Sequence, residues 1–522
     1  MSILERPLTL KTSAIDYWIE EEIWGHRFYN DQSPWFIFLE FLAVLHDRIN
    51  AGQAFESTAH LGHHETFQYR MAKQLPVRYL LFNNPYLNHI ERTESTDHAR
   101  WEKWFNEIGA YADQDTQING GFQYLKERFE YSELVRIVEV FQATAIGADS
   151  NKRWTSRFVF PHGPDCLYAD LDGKKGAGNP DRRFFARGGE LLYLMLARSG
   201  RGEVLLPLLK KKVFDIQNPW NQMLRALMPT AYQDQVVDNV SIGYLPYAAR
   251  PEYEQLADDW ITLLRLTMPG ESVLDPLVRI LGLHIVRYLF NRSHEVLGED
   301  ETTRFVLEVT APNTTPLRKL SSDNYAANRR LPEFAVARHL DRFCDSSEWQ
   351  TALQTDDEAL ARSVLIQRFS FKNNNRAIKK VKGTTPEQLF GSLKAAVISR
   401  HKQHFSEVSR ELSRHIGLTV HRQGLKTRYA PTDPLLKALV YATVAERMEF
   451  HAFLDRLHEK YHFIIGPREA EASYGELPFD KRAFDDNAQR LESRLLALGL
   501  LCRLSDDCAY VMNPFGERHD PE

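Results

Sequence analysis

DPLLKALVYATV (433–444), FHAFLDRLHEKY (450–461) and AFDDNAQRLESRLLALGLLCRLSDDCAYVMNPF (483–515) decide how the C-terminal part of the chain folds. Asp433-Pro434 opens a helix, because an aspartate at a helix start accepts orphan amides and proline's fixed φ suits the first turn. Phe450, Phe453, Leu454, Leu457 and Tyr461 recur at helical spacing and define one apolar face. Phe484, Ala488, Leu491, Leu495 and Leu498 repeat the stripe, and Gly499 stands where a left-handed cap is wanted. LLCRLSDDCAYVMNPF then reads as strand, Ser-Asp-Asp turn, strand. Three helices followed by a hairpin is the order of a winged helix.

Winged helices read DNA with the third helix in the major groove. Here that helix sets Lys481, Arg482, Arg490 and Arg494 against Asp485, Asp486 and Glu492. The connection from His462 to Phe479 also far exceeds the about 3–4 residues of a helix-turn-helix. The C-terminal domain is therefore expected to bind other protein subunits rather than bases.

Toward the N-terminus the helical texture continues. Pro34 to Asn50 carries Phe38, Phe41, Leu42, Leu45 and Ile49 on one face, with Ser33 as cap. Residues 101–111 and 121–144 carry similar patterns. From Ser150 the chain mixes short β-prone pieces with a Gly/Pro-rich loop, 172–181, before the apolar segments 190–198 and 275–297, the second opening on an Asp-Pro cap. TTRFVLEVT (302–310) alternates with period two and predicts a strand. The expected fold is mainly α with small β elements, in several domains. These are an N-terminal helical domain (1–150), a central mainly helical domain with short strands (151–320), a basic helical segment (321–432) and a winged-helix-like domain (433–522).

The chain has 522 residues, enough for a large core without staples. Its four cysteines, Cys166, Cys344, Cys502 and Cys508, form no CxxC pair, and reducing cytoplasm is the expected location; Cys502 and Cys508 read as small apolar packers. The N-terminus lacks the apolar core of a secretory signal, and the run Trp35–Leu45 is too short to span a bilayer and contains Glu40, so no membrane contact is expected.

The net charge of −5 conceals a division. Between Ala359 and Thr432 fifteen lysines and arginines face only Glu387, Glu407 and Glu411, a net +12 that leaves −17 for the remainder. The expected nucleic-acid contacts are Arg362, Arg368, Lys372, Arg376, Lys379, Lys380, Lys382, Arg400, Lys402, Arg422, Lys426 and Arg428, because each phosphate neutralised by such a cation releases a counterion. In RFSFKNNNRAIKKVK (368–382), Phe369 and Phe371 interleave with the cations. The competing reading is that these side chains dock the acidic remainder of the same chain or a partner subunit. The partner would be DNA or RNA through 359–432.

No catalytic constellation stands out, and no cofactor is expected. Asp165, Asp172 and Lys174 superficially spell a metal-dependent nuclease motif, but the lysine falls in a Gly-rich loop instead of on a strand. That reading remains the alternative, together with a pure protein-interaction adaptor. His60, His63, His64 and Glu65 lack HExxH spacing and read as a surface loop, while His284 reads as a hydrogen-bonded core histidine. Glu190 is expected as a helix-start acid or a buried partner of Arg187. No phosphate loop or nucleophile elbow occurs.

SNKRWTSRFVFPHGPDCLY (150–168), RRFFARGGELLYLMLARSG (182–200) and RLESRLLALGLLCRLSDDCAYVMNPF (490–515) resemble uncharacterised subunits of bacterial anti-phage defence islands, the methylation-associated type among them. The resemblance covers most of the chain. It implies a non-catalytic cytoplasmic subunit working beside nucleases, methyltransferases or ATPases supplied by neighbouring proteins, and it carries over no active residue.

Overall fold

Gly270–Leu297 forms one long helix that is apolar on nearly every side, and a computed structural model of the chain places it at the centre of the molecule. Helices Pro34–Asn50, Pro251–Arg265, Pro316–Phe343, Phe405–Ile416 and Asp433–Thr443 all pack on it. A helix surrounded in this way has no face left for water, which is why Leu281, Leu283, Ile285, Val286 and Leu289 are fully buried. It begins after Pro269, five residues earlier than the Asp-Pro pair suggests; Asp275 does not cap it but pairs with Arg279 one turn on, at 2.6 Å.

The structure describes residues 4, 15–25, 28, 32–63, 65–116, 121–147, 153–172, 181, 183–230, 235–309, 315–369, 383–421, 426–475, 479–505 and 508–516. The architecture is mainly helical, with 64% helix against 8% strand in small sheets. Among the described residues the larger apolar core runs from Ile19 to Val511, and a smaller cluster gathers Val306, Leu317, Ile464, Ala470, Ala483 and Phe484.

Pro34–Asn50 is capped by Ser33, whose hydroxyl accepts from Phe36 N at 3.4 Å. It lies against Gly188–Ala197, and the approach is close enough that a Cβ on Gly189 would come within 2.4 Å of Phe41 N. Glu40, the one acid in the apolar run, has its explanation there. Fully buried, it accepts from Gly189 N at 2.8 Å and from Arg187 N at 3.0 Å, satisfying the start of the neighbouring helix. Glu190 is likewise buried and accepts from the Tyr69 hydroxyl.

Two sequence expectations need correction here. Residues 121–144 do not form one helix: Gln123–Lys126 stops, and Tyr131–Ala143 restarts with a capping box between Glu130 and Glu133. Among the described residues the β-prone pieces after residue 150 form 3₁₀ turns and the isolated bridge of Ile146 with Phe158 instead of a regular strand.

Among the described residues strands are few, and most are short. Glu65–Ala72 pairs antiparallel with Val236–Gly243. The strand expected over 302–310 shrinks to Phe305–Val306, parallel to Phe463–Ile464. In the C-terminal part, Arg447–Glu449, Cys508–Met512 and Leu501–Ser505 form a three-stranded antiparallel sheet with 508–512 in the middle. Helices Asp433–Thr443, Phe450–Tyr461 and Lys481–Ala497 accompany it, and the long 462–479 connection holds the 463–464 strand and the helix Pro467–Tyr474. Cys502 is exposed and Cys508 half-buried, so neither is the core packer expected.

Candidate nucleic-acid interface

Three helices carry most of the described part of the basic segment: Glu358–Phe369, Pro386–Gln403 and Phe405–Ile416. The first opens with Asp357, whose carboxylate accepts from the amides of Ala359 and Leu360. Thr385 caps the second, with Pro386 in its first turn. Ala361, Leu365 and Phe369 on the first and Leu389, Phe390, Leu393 and Val397 on the second are buried. Phe369 packs edge-on against Phe343 at 5.1 Å, so it is a core residue and not a ring waiting for a base. Phe371 lies outside the described residues.

The cations on these helices have partners of their own. Arg362 donates to Glu358 at 2.8 Å within its helix. Arg368 reaches Glu22 on the N-terminal helix Ile15–Trp24 at 2.9 Å, and His339 meets the other oxygen of that carboxylate at 2.8 Å. Burial alone would raise the Glu22 pKa, but His339 and Arg368 hold it down to about 2. Lys394 pairs with Asp341 at 2.5 Å and Lys402 with Glu333 at 2.9 Å. Arg410 and Arg414 share Glu411, at 3.0 and 2.7 Å. Lys426 stands 4.0 Å from Asp323 and is itself largely exposed.

Arg428 requires a correction. It sits on the short strand Arg428–Tyr429, is 1% exposed and is ion-paired with the equally buried Glu308, which also accepts from Arg318 at 3.1 Å. A guanidinium withdrawn this far cannot meet a phosphate backbone. His401 is similarly internal, 3.0 Å from Glu20 and stacked near Trp24 and Phe405. Arg400 is exposed at the end of its helix. Lys372, Arg376, Lys379, Lys380, Lys382 and Arg422 lie outside the described residues.

The alternative candidates are also engaged. Asp165 accepts from Asn221 at 2.7 Å and pairs with Arg225 at 2.8 Å; Asp172 lies 3.8 Å from Arg153. Lys174 lies outside the described residues. Cys166 is buried, which pushes its thiol up to about 12 and removes it as a nucleophile. His60 and His63 are exposed, and among the described residues no group of three metal-ligating side chains occurs.

Sequence reasoning missed a charged, buried locus. Asp259 on the 251–265 helix, fully buried, accepts from His284 at 2.6 Å and from the Tyr461 hydroxyl at 2.9 Å, and pairs with Lys460. Arg287, one turn beyond His284, is 2% exposed. Two basic side chains three residues apart inside LVRILGLHIVRYLF were the available signal, since an apolar helix retains such groups only where partners meet them. His284 is, as expected, a hydrogen-bonded core histidine.

No protein-family model, curated protein or solved structure matches this chain. Among the described residues no helix is long and apolar enough to cross a membrane.

Proposed function

We propose that this chain is a non-catalytic nucleic-acid-binding or scaffolding subunit of a bacterial multi-protein assembly, of the kind found in anti-phage defence, and that of the two roles nucleic-acid binding is the better supported. The observation that carries this reading is a contrast in charge. Residues 370–382 contain Lys372, Arg376, Lys379, Lys380 and Lys382 and no acid, while the cations of the flanking helices are largely neutralised within the chain. Phosphate contacts therefore concentrate on this tract. Arg362, Arg368 and Lys402 act chiefly in holding the chain together.

The C-terminal unit is winged-helix-like in our reading. Supporting it are the order helix, strand, helix, helix, strand, strand, once the inserted strand Phe463–Ile464 and helix Pro467–Tyr474 are set aside, and a three-stranded sheet whose middle strand is the last. Arg494 is occupied by Asp433 at 2.6 Å, and Asp485 and Asp486 follow Lys481 and Arg482 in the first turns, so the 481–497 helix carries little net positive charge. That favours contact with protein subunits. The test is a gel-shift with duplex DNA and with RNA at two salt concentrations, divalent metal present. Retarded, uncut nucleic acid whose affinity falls as salt rises is expected; cleavage, or no retardation of either polymer, would reject the reading.

A further inference from the structure

Helix Pro316–Phe343 packs one side against the long central helix and turns another to water, and on that second side the charges do not balance. Arg330, Phe334 and Arg338 follow one another at single-turn spacing and are all exposed, Phe334 keeping 41% of its surface in solvent. The ring is not bare. The Arg330 guanidinium lies over it, 4.8 Å from its centre. An arginine held on an exposed aromatic ring makes a flat platform, cationic and apolar together, and that is the kind of surface on which an unpaired base stacks.

Three residues beyond each arginine stands an acid that could answer it, Glu333 for Arg330 and Asp341 for Arg338. Both acids are taken by the neighbouring helix instead. Lys402 holds Glu333 at 2.9 Å and Lys394 holds Asp341 at 2.5 Å, and these two pairs set helix Pro386–Gln403 antiparallel alongside. Among the described residues Arg330 and Arg338 are left without an ion-pair partner. The face therefore carries two unmatched positive charges, about 12 Å apart along the helix axis, with the ring between them.

Its position relates it to the acid-free tract. Phe369, the last described residue before the tract, packs on Phe343 at 5.1 Å, and Phe390, from the helix that follows the tract, lies 6.1 Å from the same ring. Both attachments are at the C-terminal end of the 316–343 helix, from which Arg338, Phe334 and Arg330 lead away in that order.

We propose that Arg330, Phe334 and Arg338 form a contact site for single-stranded nucleic acid, with one base stacked on the Phe334–Arg330 platform and the phosphates on either side of it meeting the two guanidiniums. The edge of a stacked guanidinium still donates to phosphate oxygens. A duplex offers the same phosphates but keeps its bases stacked on one another, so the ring selects the single strand. The site rests on the nucleic-acid reading above, while using none of the tract's residues.

The test is fluorescence anisotropy of labelled oligo-dT, oligo-U and a DNA duplex of the same length, each titrated with the full chain. Phe334→Ala and Phe334→Leu should each weaken single-strand binding at least about fivefold, Phe334→Tyr should keep it within about twofold, and all three should bind duplex as the wild type does. Arg330→Gln/Arg338→Gln should make the single-strand log-log salt slope shallower by about 1.4, the share of two phosphates. A loss with oligo-dT alone identifies DNA, with oligo-U alone RNA, and with both a platform indifferent to the sugar; each supports the site. A wild type that binds duplex but neither single strand, a Phe334→Leu chain that binds single strands like wild type, or an unchanged slope in the double variant would overturn this inference and leave the tract reading standing. No binding of any of the three polymers would overturn both.

Discussion

The basic segment 359–432 and the buried centre around Asp259 exchange roles between sequence and space. Counted along the chain, the first is strongly cationic; in the fold, Glu22, Glu308, Glu333 and Asp341 from outside the segment neutralise much of its described part. The second shows only scattered polar residues in apolar helices, yet it gathers Asp259, His284, Arg287, Lys460 and Tyr461 into one low-dielectric locus. Charge density in sequence reports what must be neutralised, and only the fold reports by what. Most pairs of the basic segment should also differ in energy from those of the buried centre, since an exposed ion pair is screened far more than a buried one; the buried Arg428–Glu308 pair is the segment's exception.

That difference can be broken from the largest effect downward. Asp259→Ala strands Lys460 and a buried histidine and tyrosine beside Arg287, and should cost about 3–5 kcal/mol in urea unfolding; a loss below about 1 kcal/mol would show that the centre is not held by its charge. Glu308→Gln leaves buried Arg428 with a neutral acceptor, and a loss of about 2–3 kcal/mol is expected in the same assay. Glu22→Gln loosens the joint between the N-terminal helix and the basic segment and should cost about 1–2 kcal/mol at pH 7.

The pH dependence of that last variant follows from sign. Glu22 is depressed in the fold to about 2 from an ordinary value of 4.5, so its ionised form stabilises the folded chain above about 4.5, and this contribution is lost as pH falls toward 2. Acid titration of wild type and Glu22→Gln should therefore converge over that window, and parallel curves would contradict the assignment. Smallest of all, Arg414→Ala removes an exposed partner of Glu411 and should shift stability by less than about 0.5 kcal/mol, as measured by unfolding midpoint.

Helices with strong periodicity and clear caps were legible in the sequence: Ser33-Pro34 and the stripe of 450–461 appear where the spacing puts them. So was the C-terminal hairpin, because its apolar alternation and its partner strand are close in sequence. The strand 447–449 was not, since its partner Tyr510–Met512 lies about sixty residues away and three residues carry no period. The 270–275 turn was missed because Asp-Pro is a strong local start signal that packing overrode. Of the candidate interface, the sequence reading identified the cations but not their partners; Arg428 and Glu308 are 120 residues apart, and nothing local announces that one buries the other.

The central claim is that polyanion binding belongs to the acid-free tract and not to the paired helices. The direct measurement is the salt dependence of duplex-DNA affinity for three chains: wild type, Lys379→Glu/Lys380→Glu/Lys382→Glu, and Arg368→Gln/Lys402→Gln. Wild type should give a log-log slope of about −4 to −5 if all five cations of the tract each meet a phosphate. The tract variant should lose binding at physiological salt, and the helix variant should keep the wild-type slope while losing stability. A tract variant that binds like wild type, or a helix variant whose slope collapses in a chain that is still folded, would contradict the account.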